Sequence, residues 1–204
     1  MESTLALLLF VTMVATGLSG KCPDITKYRS TYVENKYDPD LMTGLWYEHM
    51  YIDIAQVGAS CARLNATYNE SNGVLTTDFE VQYGGLPFSI TEVYTPPQNG
   101  TMKGYYVKTV KMPGSKLLPI PTVVSDVQFL SASKESRRYD TVILTSCLEK
   151  LDMAIHEIVF ATRNKFENSS ILSAMENTAK SLGIEYDEKA LKRVDWTKKI
   201  CKNL

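Results

Sequence analysis

Eight short segments of this chain alternate apolar and polar side chains, and most of them are joined by short turns. In the clearest segment Leu75, Thr77, Phe79, Val81 and Tyr83 share one face, and the residues between them are Thr76, Asp78, Glu80 and Gln82. Such alternation is typical of a strand with one buried and one solvated face. The segments are residues 46–54, 61–68, 75–83, 88–95, 102–110, 123–130, 139–146 and 153–162. Eight such strands predict an up-and-down antiparallel barrel or a sandwich.

One helical segment follows the last predicted strand. Its apolar residues recur at helical spacing over residues 169–181, and Gly183 comes directly after it as a stop signal. We therefore expect an all-β fold of eight strands with a single late helix.

The first 20 residues have the pattern of a secretory signal peptide. Residues 5–18 are almost all apolar, and Gly17, Ser19 and Gly20 are small residues suited to cleavage. The run is shorter than the roughly 20 residues that a membrane-spanning helix needs. We expect a secreted, extracellular protein that is not transmembrane, with residues 21–204 forming one domain.

Charge and composition argue against two classes of partner. The chain has 22 Lys and Arg against 23 Asp and Glu, and one of the acids is Glu2 in the leader, so the mature part is close to neutral. This balance gives no electrostatic reason to expect binding to nucleic acid or to an anionic membrane.

The chain has four cysteines, Cys22, Cys61, Cys147 and Cys201. An even number behind a signal peptide predicts two disulfides, for which the sequence alone allows three pairings. Four sequons predict N-glycosylation at Asn65, Asn69, Asn99 and Asn168. A glycan on Asn65 must point outward, which turns Ala62, Leu64, Ala66 and Tyr68 of the same strand inward.

Two motifs make the chain resemble the lipocalin family over residues 22–201, as an outlier member that is most similar to apolipoprotein D, the bilin-binding proteins and the salivary nitrophorins. The first is Gly44-Leu45-Trp46, at the start of the first strand, and the second is Phe160-Ala-Thr-Arg163-Asn164, before the helix. The resemblance implies a calyx-shaped eight-stranded barrel with one C-terminal helix, and Arg163 lying across Trp46 at its closed end. It also implies that Cys22 pairs with Cys147 and Cys61 with Cys201.

In such a barrel, alternation predicts which side chains line the cavity and contact a ligand. The expected set is Tyr68, Phe79, Val81, Tyr83, Phe88, Tyr105, Val107, Phe129, Ile143, His156 and Ile158. A wall of this kind suits a small, mostly apolar molecule with one or two polar atoms. Candidates are a fatty acid or other lipid, a steroid, a retinoid or carotenoid, a bilin, or a small amine. The alternative is that these side chains fill the barrel.

Catalysis, metal binding and a bound cofactor are not expected. With both disulfides formed, no free cysteine remains as a nucleophile, and the chain has no G-x-S-x-G motif, metal-ligand cluster or phosphate loop. A lipocalin-type enzyme is therefore the least favoured reading. His156 is expected inside as a structural or ligand-anchoring residue, and His49 at the surface or rim.

A second class of function uses the outer surface. The loop at residues 111–121 is long, apolar and rich in proline, so it is a candidate lid over the barrel mouth or a contact for a protein partner. A secreted decoy or inhibitor acting through its loops is thus the alternative to a carrier or scavenger of a small hydrophobic ligand. A carrier should have a cavity that can be filled, whereas a decoy should have a packed barrel. The oligomeric state, and transport as opposed to sequestration, stay open.

Overall fold

The computed structural model describes residues 20–98, 102–111, 118–130, 138–150, 153–201 and 204. The predicted leader, apart from its last residue, and the sequon residue Asn99 lie outside the described residues. Nine strands are assigned within them. They are β1 (Gly44–Ile52), β2 (Ala59–Asn69), β3 (Val74–Tyr83), β4 (Leu86–Thr95), β5 (Tyr105–Lys111), β6 (Ile120–Gln128), β7 (Thr141–Lys150), β8 (Met153–Thr162) and β9 (Lys192–Arg193).

Strands β1 to β8 form a closed antiparallel barrel. Each strand from β2 to β7 pairs with the next in sequence, and β8 then pairs with β1. The first half of β1 pairs with β2, from Gly44 opposite Ala66 to Tyr47 opposite Arg63, which closes the ring. Its second half pairs with the short strand β9. The predicted all-β barrel with one late helix is therefore confirmed.

The strand predictions differ from the structure mainly at β5 and β9. Strand β5 begins at Tyr105 rather than at residue 102, because Gly104 has a positive φ of 73°. A Cβ atom on Gly104 would lie 2.5 Å from Val33 Cγ1, so this turn needs glycine. Strand β9 has only two residues, too few for alternation to show.

The segment before β1 covers one end of the barrel, which we call the floor. Helix α1 (Thr31–Lys36) begins with the Ser30 hydroxyl accepting a hydrogen bond from the Val33 N–H. A 3₁₀ turn over Pro39–Met42 follows and leads into β1. The side chains of Val33, Tyr37 and Met42 are buried in the main core, so this segment plugs the floor.

Both disulfides have the pairing that the resemblance implies. Cys22 bonds to Cys147 in β7, and Cys61 in β2 bonds to Cys201 near the C-terminus. The first ties the N-terminal segment to the barrel, and the second ties down the C-terminal tail. Neither end of the described chain relies on packing alone.

Helix α2 (Ser169–Ser181) lies against the outside of the barrel. Its buried residues Met175 and Ala179 belong to a core that also contains Met50, Ile143, Ile158 and Phe160 from strands β1, β7 and β8. The outer face of these strands is therefore apolar. This second core lies outside the barrel and is separate from the one within it.

We expect Asn168→Ala to lower the free energy of unfolding by about 1 kcal/mol, because Asn168 caps α2. Its Oδ1 accepts a hydrogen bond of 2.9 Å from the Ser170 N–H. Urea unfolding of unglycosylated protein measures the change. The matched control is Asn168→Ser, which removes the same sequon but keeps a capping oxygen and should stay within a few tenths of a kcal/mol of the parent. Equal losses in both variants would contradict the capping role.

Candidate functional site

The floor half of the barrel interior is apolar and closely packed. It surrounds a cavity of about 20 Å³. The lining side chains are Met42, Trp46, Leu64, Ala66, Leu75, Thr77, Tyr94, Tyr106, Thr122, Val124, Val142 and Leu144. This volume is enough for about one water molecule, far below the hundreds of cubic ångströms of a small-molecule pocket. A ligand can enter this region only if side chains or loops move.

Arg163 closes the floor. Its guanidinium carbon lies 3.7 Å from the centre of the Trp46 ring, in the cation–π contact that the resemblance implies. The same group donates hydrogen bonds to the carbonyl oxygens of Tyr139 at 3.0 Å and Leu45 at 2.9 Å. The indole N–H of Trp46 donates to the Met42 carbonyl at 2.8 Å. Four chain segments thus meet on one arginine–tryptophan pair.

We call the end of the barrel opposite the floor the mouth. The half of the interior near the mouth contains a buried ion-pair network. Lys108 Nζ lies 2.6 Å from Glu157 Oε2 and 3.6 Å from Glu92 Oε1. Glu92 also accepts hydrogen bonds from the hydroxyls of Tyr94 at 2.7 Å and Thr77 at 3.1 Å. Burial alone would lower the pKa of Lys108, but the two carboxylates outweigh it and hold that pKa well above its ordinary value. Lys108 is therefore a charged group inside the barrel.

A second polar group closes the mouth. The 3₁₀ turn Ile54–Gln56 places the Gln56 amide inside the barrel, where its Nε2 donates to Glu48 at 3.0 Å and to Asp53 at 3.1 Å. The Tyr83 hydroxyl holds the turn from outside by donating to the Ala55 carbonyl at 2.6 Å. We call Glu48, Asp53 and Gln56 the mouth cluster. Together with the ion-pair network it surrounds a second cavity of about 20 Å³.

Both carboxyl groups of the mouth cluster hold their protons more tightly than usual. Burial raises the pKa of Glu48 to about 8, and the neighbouring carboxylates of Asp53 and Glu92 add to this effect. Burial is the main cause that raises the pKa of Asp53 to about 6, and the negative charge of Glu157 is the second. At neutral pH Glu48 is therefore mostly protonated.

Part of the predicted cavity wall faces as expected. Ala62, Leu64 and Ala66 are buried in the core within the barrel, with Tyr68 partly buried against it. Phe79 and Val81 of β3 belong to the same core, and Tyr83 packs against it near the mouth. Phe88 contacts Tyr83 edge to face at 5.8 Å and is 41% exposed at the rim. These residues remain the candidate ligand contacts.

The predicted inward orientation is wrong for Tyr105, Val107, Ile143 and Ile158. In β5 it is Tyr106 and Lys108 that face the interior, so Tyr105 and Val107 point outward. Ile143 and Ile158 pack against α2 on the outside, while Leu144 and Val159 face in. The physical reason is that α2 and the N-terminal segment cover part of the outer surface. Apolar residues are therefore needed on both faces of these strands.

Phe129 and the two histidines also lie elsewhere than predicted. Phe129 contacts Tyr32 edge to face at 6.3 Å and Tyr139 at a tilt at 5.0 Å, at the floor end, and is 46% exposed. His156 is exposed on the outer face of β8, with its Nε2 3.7 Å from Cys147 Sγ. His49 is buried rather than at the rim, and its Nε2 lies 2.9 Å from the Asn164 carbonyl oxygen.

The loop predicted as a lid lies largely outside the described residues. These exclude residues 112–117, whereas Leu118 and Pro119 are exposed and Ile120 begins β6. Three of the predicted glycosylation sites, Asn65, Asn69 and Asn168, have exposed side chains, which leaves room for a glycan.

Sequence reasoning missed every charged residue of the interior. Glu48, Glu92, Lys108 and Glu157 lie in segments that alternate, but the polar face was assigned to solvent. The one available signal was in β5, where the sequence Tyr-Tyr-Val-Lys-Thr-Val fits either orientation. Nothing in the sequence pairs Lys108 with carboxylates 16 and 49 residues away.

The described residues include no candidate membrane span and no candidate metal site. No helix among them is both long and apolar enough to cross a membrane. Across the same residues, no group of three or more His, Cys, Asp or Glu side chains comes together in an arrangement that can hold a metal ion.

Comparison with known proteins identifies the fold. No family model and no curated protein sequence matches the chain. Among solved structures, insecticyanin from the tobacco hornworm Manduca sexta is 16% identical, with 89% of each chain covered and a TM-score of 0.66. Lobster apocrustacyanin A1 is 14% identical, covering 89% of this chain and 92% of its own, with a TM-score of 0.62. Apocrustacyanin C1 is 13% identical, covering 86% and 88%, with a TM-score of 0.63.

These neighbours are lipocalins, and the likeness extends over most of each chain. Sequence identities this low support a shared architecture and nothing beyond it. The closed eight-stranded barrel, the C-terminal helix and the Arg163–Trp46 contact agree with that architecture. This chain has the lipocalin fold.

Proposed function

We propose that the protein is a secreted carrier or scavenger that takes a small hydrophobic molecule into its barrel. The observation that carries the proposal is the division of the interior into an apolar floor half and a polar mouth half. A molecule with an apolar body and one polar end matches this division, since its body gains by leaving water and its polar end meets hydrogen-bonding groups. Tyr68, Phe79, Val81, Tyr83 and Phe88 are the proposed contacts among those expected from the sequence.

Access to the interior requires the mouth turn to move. A few hydrogen bonds hold the turn Ile54–Gln56 in place. The chief ones are donated by Gln56 to Glu48 and by Tyr83 to Ala55. Each is worth about 1 kcal/mol net, or somewhat more where a charged carboxylate accepts. Opening this turn is therefore a modest step compared with unfolding the barrel. We propose that ligand uptake proceeds through this opening.

Secretion, glycosylation and a single mature domain are parts of the same proposal. The two disulfides support an oxidising compartment. The exposure of Asn65, Asn69 and Asn168 supports occupied sequons at these positions.

Fluorescence of the two tryptophans tests the proposal. Trp46 lines the floor cavity, whereas Trp196 lies outside the barrel, near the Cys61–Cys201 disulfide. In a Trp196→Phe variant, retinol, oleate or biliverdin should quench or shift the remaining Trp46 emission in a saturable manner. The matched control is Trp46→Phe, whose Trp196 emission should respond much less. Equal responses in both variants, or none in either, would contradict uptake into the barrel.

One observation favours the alternative of a protein that acts through its surface. The interior cavities are small, and a larger groove of about 790 Å³ lies outside, between β3, β4 and the C-terminal tail. Its lining includes Arg63, Phe88 and Ile200. An exposed groove with apolar members is a common feature of protein-binding sites. Absence of quenching by every small molecule in the tryptophan experiment would favour this second function.

A further inference from the structure

The two carboxyl groups of the mouth cluster differ from Glu92 and Glu157 of the ion-pair network in their partners. Lys108 lies against Glu157 and Glu92. By contrast, no lysine or arginine in the described part of the chain forms an ion pair with Glu48 or Asp53. Their side-chain partner is the neutral amide of Gln56. The second cavity is lined by four acidic side chains and one lysine, so it has an excess of negative groups.

Gln56 provides an independent observation that points to a ligand here, because its amide oxygen accepts no hydrogen bond from the described residues. Its side chain is only 3% exposed, and its amide hydrogens are used by Glu48 and Asp53. Its Oε1 atom is buried, and no group of the described residues donates a hydrogen bond to it. An unsatisfied buried acceptor is costly, and such atoms in native proteins usually have a partner. The amide oxygen of Gln56 is therefore the acceptor in the mouth cluster that a donor from a ligand would satisfy.

The surroundings of the cluster suit an organic group better than a hydrated ion. Leu64, Phe79 and Val159 form apolar walls of the same cavity. At the surface near the turn, Ile54, Val57 and Leu86 are exposed by 55%, 53% and 74%. These exposed apolar side chains flank the opening, and the apolar body of a ligand whose polar head lies in the cavity would continue into the apolar floor half.

We propose that the mouth cluster binds the ammonium head of a small organic amine, with Glu48, Asp53 and Gln56 Oε1 accepting its hydrogens. This assignment rests on the proposed function and names the chemical class of its ligand. A primary ammonium has three N–H donors and one positive charge. Its N–H groups supply a hydrogen-bond donor for Gln56 Oε1, and its charge supplies a cation for the carboxyl groups of Glu48 and Asp53. The cavity has room for such a head, which is about the size of a water molecule.

Binding of the amine should release a proton. Because the pKa of Glu48 is about 8, its carboxyl group is mostly protonated at pH 7 in the free protein. An ammonium beside it favours the carboxylate, so the Glu48 proton leaves to the buffer while the amine keeps its own. No bond other than O–H is broken.

Isothermal titration calorimetry with a matched set of probes tests the assignment. The probes are 2-phenylethylamine, its neutral analogue 2-phenylethanol and the anion 3-phenylpropanoate. At pH 7 the amine should bind roughly tenfold or more tightly than the alcohol, and the anion should bind most weakly. Titrations in buffers of different ionisation enthalpy should show release of up to about one proton on amine binding. Equal affinities for amine and alcohol would overturn the proposal.

Variants locate the effect. Glu48→Gln should weaken amine binding by roughly tenfold, abolish proton release and weaken alcohol binding much less. The matched control, Glu70→Gln, changes an exposed acid in the β2–β3 turn and should leave all three probes unchanged. Thermal unfolding of each variant checks its fold. Amine binding that is unaltered in Glu48→Gln and in Asp53→Asn would overturn the assignment.

The failure of this proposal is distinguishable from failure of the proposed function. Quenching of Trp46 by retinol, oleate or biliverdin without preference for the amine would overturn the headgroup site and keep the carrier. Absence of binding by every probe, in calorimetry and fluorescence alike, would overturn both.

Discussion

Replacing Lys108 with methionine is expected to lower the free energy of unfolding by about 3–5 kcal/mol at pH 7, because it leaves Glu157 and Glu92 buried without their cation. The lysine side chain is 9% exposed and the Glu157 side chain 11%, so neither gains much from solvent. Burying a carboxylate without a partner is among the largest single-residue penalties known in folded proteins. Urea unfolding at constant ionic strength measures the loss.

The loss in Lys108→Met should depend on pH in a defined direction. Without the lysine, the folded variant contains buried negative charge with no cation beside it, and uptake of a proton relieves this cost in the folded state but not in the unfolded chain. The deficit should therefore shrink as the pH falls towards 5 and grow towards pH 9. Adding Glu157→Gln to Lys108→Met should recover part of the stability. A double variant that is no more stable than Lys108→Met would contradict the ion pair as the source of the effect.

Glu48→Gln should stabilise the protein at alkaline pH, and this is the second large effect. In the folded protein the pKa of Glu48 is about 8, against an ordinary value near 4.5. Between these two values the folded state holds a proton that the unfolded chain has released. The stability provided by Glu48 is therefore complete below about pH 4.5 and is lost progressively as the pH rises to the folded pKa near 8.

The size of this effect follows from the same two values. At about 1.36 kcal/mol for each pKa unit, the loss is at most about 5 kcal/mol above pH 8. Glutamine has nearly the same shape and cannot ionise, so Glu48→Gln should match the parent near pH 4.5 and exceed it by several kcal/mol near pH 9. Chemical unfolding across this range measures the difference. Glu70→Gln, in an exposed turn, is the control and should follow the parent throughout. Parallel curves for Glu48→Gln and the parent would contradict a buried, protonated Glu48.

The barrel strands and the late helix were predictable because local patterns specify them, whereas the closing contact and the disulfide pairing followed only from the resemblance. Strands β2 and β3 each have one polar and one apolar face, so the inward orientation of Leu64 and Phe79 was predictable. The spacing of Met175 and Ala179 was enough to identify the helix. The resemblance added long-range pairs, such as Arg163 with Trp46, that no local pattern contains.

The interior charges were not predictable for a physical reason. Strands β7 and β8 are apolar on both faces because one face meets the barrel core and the other meets α2. Period-two alternation then cannot decide whether Ile143 or Leu144 faces the barrel interior. In β5 the polar face containing Lys108 was assigned to solvent. A buried lysine is stable only with carboxylates from other strands, and those pairings depend on the tertiary structure rather than on sequence spacing.

Native mass spectrometry with an absorbance scan, on protein purified from a eukaryotic secretion host, tests the central claim most directly. We expect a small molecule bound at one copy per chain, or an empty chain that takes up one copy of an added hydrophobic amine. The mass and spectrum would then separate a lipid, a pigment and an amine. A chain that is empty as purified and remains empty with retinol, oleate, biliverdin and 2-phenylethylamine would contradict the account and place the function on the outer surface.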